Sequence, residues 1–382
     1  ALCAIYIAVK SGYQAVMLAP TEILAEQNYN LIKKSFPWAE VAFLSGSTKD
    51  KDKTEIKRRV KNGEIRIVVG THAVIQGDVE FYNLSLCVCD EQHRFGVQQR
   101  SALVAKGLIP DVLVMSATPI PRTLSLICYG DLDVTEITDK PKNRLPVATF
   151  VVGRNKYDGM LGFIRDTVKI GNQAFCVCPK IEGDDEGTLM SVNDLYEQLS
   201  ERLDGVKVGL LHGKMKDEQK AAIMLDFKEK RIDVLVSTTV IEVGIDVPNA
   251  TVMVIFNSER FGLSQLHQLR GRVGRGGGKA YCFLYTESDD EKAIARLKVI
   301  CDSNDGFKIA EKDFEFRGGG DFLGTRQSGK SISDLGALSY PASVIFTAKK
   351  LCDEAFENPE YIKAVRPYAM EKYERLKDVA LN

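Results

Sequence analysis

Short apolar, β-rich runs alternate with helical patterns along most of this chain, and the alternation limits the folds that it can adopt. Two segments, 22–36 and 51–62, have the apolar spacing and composition of helices. In the first half, the strand-like runs around them are 14–20, 41–46, 66–72, 84–91 and 111–118. Short buried strands joined by helical crossovers predict a parallel sheet with helices on both faces.

A stretch rich in Pro, Lys, Asn and Arg at 141–146 predicts a linker, and the alternation restarts beyond it. Helical patterns at 192–203 and 218–230 lie among strand-like runs at 173–179, 206–212, 233–240, 251–257 and 279–285. We therefore expect an α/β protein with two tandem parallel-sheet lobes, at 1–142 and 143–300. Residues 301–382 then form a third, mostly helical region, with a glycine-rich stretch, a helix at 342–355 and a charged tail.

The composition is that of a soluble globular protein, with 45% hydrophobic and 27% charged residues. A formal net charge of −1 neither supports nor excludes nucleic-acid binding, because a local basic groove can exist on a neutral protein. No apolar run reaches the length of a membrane span, and the start lacks a signal-peptide pattern. The cysteines form no evident disulfide framework, which favours a cytoplasmic location.

Two adjacent carboxylates, Asp90 and Glu91, end an apolar run and are followed by an amide and a histidine. In open α/β sheets, ligands bind at the carboxyl ends of the strands. Asp90 can hold Mg²⁺ through water, because Mg²⁺ keeps several waters and uses few carboxylates. Glu91 can polarise an attacking water. The alternative is a pair of carboxylates that only caps a strand end, which the strongly apolar run disfavours.

Small polar residues follow the other strand-like runs of the first half. Thr21 is placed to cap the helix at 22–36, and backbone N–H groups at a helix start bind phosphate. The turn with Thr71 and His72 can donate hydrogen bonds to a nucleic-acid backbone. The hydroxyls of Ser116 and Thr118 can couple the carboxylate site to movement. Each turn alone is equally an ordinary cap or strand end, and their repetition at one edge favours the functional interpretation.

The second half has a similar hydroxyl cluster where a strand-like run ends, at Thr238 and Thr239. Gly244 and Asp246 follow it. Hydroxyls with a following glycine suit contact with backbone phosphates, and the Asp246 carboxylate can meet a ribose or a neighbouring arginine. The alternative is an ordinary transition from strand to turn.

Arginines and glycines are interleaved in QLRGRVGR, residues 268–275. Arg272 and Arg275 are three residues apart, so on a helix they share a face. Arginines presented in this way can neutralise charge on a transferring γ-phosphate. The alternative is a solvated basic helix. Gly271 and Gly274 count against it, because glycines weaken a helix.

In this order the motifs resemble the motor of superfamily 2 helicases. The match covers that family's motifs Ia, Ib, II, III, V and VI, at Thr21, Thr71, residues 90–93, residues 116–118, residues 238–246 and residues 268–275. The segments APTEILAEQ at 19–27, DEQHRFG at 90–96 and FEFRGGGDFLGTRQSG at 314–329 resemble the RecG family of branched-DNA translocases. The last segment resembles the translocation motif that this family shares with the transcription-repair coupling factor.

The resemblance implies two RecA-like lobes with ATP and Mg²⁺ bound between them. Asp90 would bind Mg²⁺ and Glu91 the attacking water, and the phosphates would be reached by Gln268, Arg272 and Arg275. Gly244 and Asp246 would complete the nucleotide site. DNA phosphates would be held by Thr21, Thr71, His72, Thr238 and Thr239. Residues that couple hydrolysis to movement would be His93, Ser116, Thr118, Arg317, Arg326 and Gln327.

The resemblance further implies a monomeric motor that acts on branched double-stranded DNA. The family regresses stalled replication forks and processes Holliday junctions in recombination and repair. The family's phosphate loop, G-x-x-x-x-G-K-[ST], is absent ahead of the first helix, where the family has it. Residues 1–9 resemble the interior of an apolar helix, without a cap or an initiator methionine. In the family, an N-terminal wedge domain grips the branch point, and it is absent here as well. We therefore expect a carboxy-terminal fragment, without the phosphate loop and the wedge domain, that is inactive by itself.

Three other interpretations remain open from the sequence. The chain can be the motor of a transcription-repair coupling factor, which needs RNA-polymerase-binding segments elsewhere. It can be a nucleic-acid-binding module without catalysis, although such a module has no use for both a carboxylate pair and an arginine run. It can be a nucleotide hydrolase with a substrate other than nucleic acid, which the phosphate-suited turns in both halves disfavour.

Overall fold

In a computed structural model of the chain, the structure describes residues 1–91, 106–107, 110–116, 133–137, 145–179, 191–239, 247–317 and 342–380. The chain divides into two compact units. One comprises Ala1–Pro119 with Lys142–Asn304, and the other comprises Ile120–Pro141 with Asp305–Asn382. The first unit contains the sheets of both predicted lobes, whereas residues 120–141 of the predicted first lobe belong to the second unit.

The first lobe contains a parallel sheet of five strands in the order β2-β3-β1-β4-β5. These strands are β1 (Gln14–Leu18), β2 (Val41–Leu44), β3 (Ile67–Gly70), β4 (Leu84–Cys89) and β5 (Asp111–Val114). The helices are α1 (Leu2–Lys10), α2 (Glu22–Ser35) and α3 (Asp50–Lys61). Leu18 at the end of β1 is opposite both Gly70 of β3 and Cys89 of β4, so these three strands end level with one another.

Helices cover both faces of this sheet, as predicted. Successive side chains of a strand point to opposite faces. Val16 and Leu18 of β1 therefore pack in one core cluster with Val60 of α3. On the other face, Met17 packs in a second cluster with Ile32 of α2, together with residues of α1.

The second lobe contains a parallel sheet of six strands in the order β6-β11-β10-β7-β9-β8. These strands are β6 (Ala148–Val152), β7 (Gln173–Val177), β8 (Val208–Leu211), β9 (Val234–Ser237), β10 (Ala250–Ile255) and β11 (Tyr281–Tyr285). The helices are α4 (Tyr157–Lys169), α5 (Val192–Arg202), α6 (Asp217–Lys228), α7 (Leu263–Arg270) and α8 (Glu291–Asp302). Three of these elements, β6, α4 and α8, were not predicted from the sequence.

The two sheets share one strand order, which confirms the predicted duplicated α/β architecture. The order β2-β3-β1-β4-β5 of the first lobe corresponds to β8-β9-β7-β10-β11 of the second, which adds β6 at its edge. The equivalent strands β1 and β7 both begin with a fully buried glutamine. Gln14 Nε2 donates to the carbonyls of Val60 and Ile65 at 2.8 and 2.7 Å. Gln173 Nε2 likewise donates to the carbonyls of two residues at the end of α6 and just before β9, Phe227 and Ile232.

The two glutamines predict a matched pair of stability effects. Gln14 Oε1 also accepts from the Asn83 N–H at 2.9 Å, whereas Gln173 Oε1 has no hydrogen-bond partner among the described residues. Gln14→Leu leaves two backbone groups, Ile65 O and the Asn83 N–H, without these partners, and each such buried group costs about 1–3 kcal/mol. Val60 O keeps the Gly63 N–H at 3.0 Å. We expect Gln14→Leu to lower the free energy of unfolding of its lobe by about 2–4 kcal/mol, and Gln173→Leu to have a smaller effect on the second lobe.

Urea unfolding of the chain measures this difference, because the single tryptophan lies in the first lobe. Trp38 packs against Tyr6 and Phe36 at ring-centroid distances of 6.0 and 5.9 Å. Its fluorescence therefore reports the first lobe, and far-UV circular dichroism reports both. Gln14→Leu should shift the Trp38 transition to lower urea while Gln173→Leu leaves it in place. Equal shifts in the two variants would contradict the prediction.

Three helices of the second unit lie in the described part of the chain: α9 (Gly306–Arg317), α10 (Ala342–Glu357) and α11 (Pro359–Ala380). The predicted helix at 342–355 is confirmed as α10. The predicted charged tail forms the 22-residue helix α11. Among the described residues, no helix is long and apolar enough to cross a membrane.

Candidate functional site

The carboxyl edge of the first sheet brings together the polar residues that follow β1, β3 and β4. Backbone hydrogen bonds continue one step beyond these strands. The Ala19 N–H donates to Gly70 O at 3.0 Å, and the Asp90 N–H donates to Leu18 O at 2.9 Å. The predicted residues Thr21, Thr71 and Asp90 therefore lie in adjacent loops at one edge, and Ser116 follows β5 two residues beyond its end.

Thr21 is the N-cap of α2, and its hydroxyl accepts from the Leu24 N–H at 3.4 Å. Glu22 in the first turn of α2 accepts a hydrogen bond from Ser45 Oγ at 2.6 Å and another from Ser47. A carboxylate is favourable at this positive end of the helix. These contacts join the loop after β1 to the loop after β2, so the two loops form one continuous surface.

Asp90 is half-buried directly after β4. Asn28 Nδ2 from α2 donates to Asp90 Oδ2 at 3.5 Å. Burial raises the pKa of the Asp90 carboxyl, the hydrogen bond from Asn28 lowers it, and the neighbouring charge of Glu91 raises it further. A partly desolvated carboxylate beside a second one gains from a cation. The Asp90 side chain therefore suits a divalent metal bound mainly by other oxygen ligands.

Glu91 has a left-handed backbone conformation, with φ of +53°. This region costs a non-glycine residue about 1–2 kcal/mol. The equivalent strand of the second lobe, β10, ends in the same way. Phe256 N–H donates to Val177 O at 2.8 Å, as Asp90 N–H does to Leu18 O, and the next residue, Asn257, has φ of +47°.

The fold therefore demands a left-handed residue two positions beyond this strand in both lobes. The second lobe has asparagine at this position, and asparagine tolerates the left-handed conformation. The first lobe has glutamate, for which the conformation is unfavourable. Strained residues of this kind cluster at functional sites, where surrounding structure maintains them. The choice of glutamate at position 91 is therefore better explained by chemistry than by the turn.

The threonines of the two predicted hydroxyl turns are equivalent and buried. Thr71 and Thr238 follow the equivalent strands β3 and β9, and their N–H groups donate to Leu44 O and Leu211 O at 3.3 and 3.4 Å. Their side chains are only 5% and 4% exposed, whereas His72 is exposed. Thr239 is half-buried. In this conformation the turns present backbone groups and His72 rather than the hydroxyls of Thr71 and Thr238.

Sequence reasoning missed a second pair of matched loops, 45–49 and 212–216. They follow the equivalent strands β2 and β8 and precede the equivalent helices α3 and α6. Lys49 and Lys216 are the N-caps of these helices, with nearly the same extended backbone. The repeat L-x-G-x-x-K-D at 44–50 and 211–217 is a signal that could have revealed them. Both loops lie at the carboxyl edge of their sheet.

The arginine run does not form a helix over its whole length. Helix α7 ends at Arg270 with Gly271 as its C-cap, and a turn follows. The prediction that Arg272 and Arg275 share a helical face is therefore wrong. Gly274 has φ of +76°, and a Cβ there would lie 2.9 Å from Ala280 Cβ. Gly274 is thus required by the turn, which sequence reasoning treated only as a weakened helix.

Arg272 is half-buried and Arg275 is exposed in this turn, whereas Arg270 is fully buried. Gln268 is half-buried on α7. We call residues 271–275 the arginine loop. The carboxylates Asp90 and Glu91 belong to the first lobe and the arginine loop to the second.

Several predicted residues lie outside the described part of the chain: His93, Thr118, Gly244, Asp246, Arg326 and Gln327. Arg317 is the last residue of α9. The phosphate-loop pattern G-x-x-x-x-G-K-[ST], expected to be missing, does occur in the sequence at 324–331. That segment also lies outside the described residues. It follows a helix rather than a strand in the sequence, so it lacks the strand-to-helix context that gives the pattern its meaning.

Two family models match the chain, one on each lobe. The DEAD/DEAH box helicase model matches residues 1–127, and the helicase conserved C-terminal domain model matches residues 155–277. Curated relatives include the ATP-dependent DNA helicase RecG of Thermotoga maritima, 48% identical over 93% of this chain and 46% of the relative. RecG of Bacillus subtilis is 45% identical over 94% of this chain and 54% of the relative. The chain thus spans about half the length of these relatives.

Solved structures agree with the sequence comparison. A structure of RecG bound to a three-way DNA junction superposes with a TM-score of 0.71 at 46% identity, over 90% of this chain and 45% of that one. Saccharomyces cerevisiae Dbp5 bound to RNA and ADP BeF3 superposes with a TM-score of 0.55 at 16% identity, over 80% of this chain and 81% of that one. The second likeness shows the fold alone.

Proposed function

Because the chain belongs to the superfamily 2 helicases and matches RecG over nine tenths of its length, we propose that it is the motor of a branched-DNA translocase driven by ATP hydrolysis. The observation that carries the proposal is the 46% identity, across both lobes, to a protein whose structure holds a three-way DNA junction. Forks and Holliday junctions are the substrates proposed for the whole protein, acting as a monomer.

ATP turnover in this proposal is divided between the lobes. Asp90 would hold Mg²⁺, together with water and phosphate oxygens, and the cation would supply charge neutralisation at the phosphates. Glu91 would accept a proton from the attacking water. Arg272 and Arg275 would stabilise charge on the γ-phosphate from the second lobe, and Gln268 would assist them.

DNA binding is assigned to the carboxyl edges of both sheets. Thr21, the turns at Thr71 and Thr238, and the exposed His72 were predicted there from sequence. We add the matched loops 45–49 and 212–216, which end in lysines at the equivalent positions 49 and 216, and the first of which also carries hydroxyls. Contacts of this kind position a protein on the phosphate backbone and carry no sequence information. They suit a motor that moves along any sequence.

Junction-stimulated hydrolysis tests the proposed function in the protein that contains this chain. We expect a three-way DNA junction to stimulate ATP hydrolysis well above linear duplex of equal length and composition, and the junction to be converted to separated arms only with hydrolysable ATP. An RNA junction of the same shape is the matched control and should not stimulate.

The other interpretations predict different results from the same assay. A binding module without catalysis would bind the junction and hydrolyse no ATP. A transcription-repair coupling motor would respond to linear duplex as strongly as to the junction and would displace a stalled RNA polymerase. Either result would overturn the proposal.

A further inference from the structure

Arg270 is the buried member of the arginine run, with 3% of its surface exposed. Its Nη1 donates to Ile300 O at 2.5 Å and to Ser303 O at 2.8 Å. Its Nη2 lies 2.8 Å from His267 Nδ1, which must be the acceptor because a guanidinium only donates. Arg270 therefore faces away from solvent, toward the end of α8.

The groups around Arg270 indicate that its charge serves the C-terminal end of α8. Burial lowers the pKa of the guanidinium, so the charge is held at an energetic disadvantage. Among the described residues, no carboxylate pairs with it. Its partners are instead the carbonyl of Ile300, in the last turn of α8, and that of Ser303, the C-cap. Cations are favourable at this negative end of a helix, and these carbonyls have no partners within the helix.

A second arginine also connects α8 with the α7 region, but here the donor side chain is on α8. Arg296 of α8 donates through Nη2 to the carbonyl of Glu259, in the short helix before α7. Helix α7 and its approach are thus tied to α8 twice, near the middle of α8 by Arg296 and at its end by Arg270. Both contacts reach backbone carbonyls, so they fix the position of the chain rather than that of a mobile side chain.

The arginine loop begins at the residue after Arg270 and is held in place by hydrogen bonds from its backbone N–H groups. The Val273 N–H donates to Arg270 O at 3.4 Å, and the Gly274 N–H donates to Ala250 O at 3.2 Å. Val273 is fully buried. A change in the position of Arg270 is therefore passed directly to the segment that carries Arg272 and Arg275.

We propose that Arg270 is a positioning residue, whose planar guanidinium fixes the arginine loop against the end of α8. It does not touch the nucleotide. It sets where Arg272 and Arg275 are presented, and hence the rate of the hydrolytic step rather than the binding of ATP. The inference rests on the proposed function, because the role of Arg272 and Arg275 in ATP turnover is part of that function. The chain continues from Asp302 of α8 to α9 within four residues, so α8 is also the covalent link from this lobe toward the second unit.

Arg270→Lys and Arg270→Met test the proposal in the protein that contains this chain. Lysine keeps the charge but cannot make three bonds in the plane of a guanidinium, and methionine keeps length alone. We expect kcat for DNA-stimulated ATP hydrolysis to fall about 100-fold in both variants, the loss typical of misplacing a catalytic group by about 1 Å. KM for ATP should not change, because no contact with bound ATP is removed. Hydrogen exchange at the Val273 and Gly274 amides should accelerate.

Arg165→Lys and Arg165→Met are the matched controls. Arg165 Nη2 also donates to a carbonyl at the end of a neighbouring helix, Arg202 O at 2.9 Å, but Arg165 is half-buried, whereas Arg270 is buried, and it lies on α4. These variants should retain kcat and the exchange rates of the arginine loop. If Arg270→Met does not fold, Arg270→Lys, which keeps the charge, provides the test.

Two results would overturn the positioning role. One is wild-type kcat in folded Arg270→Lys, because charge alone would then suffice. The other is unchanged exchange at Val273 and Gly274 with a lowered melting temperature, which is the signature of a purely structural arginine. The exchange measurement needs no activity. A wild-type protein without DNA-stimulated hydrolysis would therefore refute the proposed function while leaving the positioning of the loop measurable.

Discussion

Replacing Glu91 with glutamine should lower ATP turnover by about 100- to 10,000-fold, the range expected for loss of a general base. Glutamine has nearly the size of glutamate and accepts no proton. ATP binding should persist, because Asp90 and the arginine loop are unchanged. Single-turnover hydrolysis and equilibrium binding of ATP, both with junction DNA present, measure the two effects separately. Near-normal turnover in the variant would refute the assignment of Glu91 to the attacking water.

The backbone of Glu91 supplies a control that glutamine cannot. Asparagine tolerates the left-handed conformation that Glu91 adopts, as it does at the equivalent Asn257. Glu91→Asn should therefore abolish turnover and yet raise the free energy of unfolding of the first lobe, by up to about 1 kcal/mol. Glu91→Gln should leave that free energy unchanged. A destabilised Glu91→Asn variant would mean that the Glu91 side chain supports the fold, contrary to the chemical explanation.

Removing Arg272 should have the second large effect. An arginine that stabilises the γ-phosphate contributes about 1,000- to 100,000-fold to turnover. We expect Arg272→Ala to lose turnover in this range while junction binding is retained, since its proposed contact is with the nucleotide. Arg275→Ala should also reduce turnover. Because the Arg275 side chain is exposed, its removal should not destabilise the fold, and the loss should be one of catalysis alone. DNA-stimulated hydrolysis and junction binding measure the two properties.

Arg231→Ala is the matched control for the arginine loop. Arg231 lies in the same lobe, is exposed, and pairs with Asp226 at 2.6 Å and with Glu229. Exposed ion pairs contribute little to stability because solvent screens them, so this variant should keep both stability and turnover. Equal losses in Arg231→Ala and Arg272→Ala would show that removal of positive charge anywhere on the lobe lowers activity, and would remove the case for a specific role.

The sequence predicted the strands well because their residues are mostly apolar, and β1, β3, β7 and β9 are buried on both faces. It placed the strand ends too late. Predicted strands such as 84–91 include the polar residues that follow the last paired position, Cys89. Strand β6 escaped detection because its burial alternates and it lies next to the linker. The long helix α11 was taken for a charged tail, since its polar residues conceal its apolar spacing.

The candidate site was predictable to the extent that topology determines it. Parallel strands end at one edge, so polar residues after β1, β3 and β4 had to lie close together. The left-handed backbone of Glu91 and the turn at Gly274 depend on tertiary packing, and no local pattern shows them. The different burial of Arg270 and Arg275 is likewise invisible in QLRGRVGR, where all three arginines look alike.

The central claim is that Glu91 of one lobe and Arg272 of the other act on the same phosphate. Single-turnover ATP hydrolysis by the wild type, Glu91→Gln, Arg272→Ala and the double variant, with junction DNA present, tests it most directly. Residues that act as one unit are strongly non-additive. If Glu91 and Arg272 act on the same phosphate, the double variant should be scarcely slower than the slower single variant. Losses that multiply in the double variant would show that the two residues serve independent steps, and would contradict the central claim.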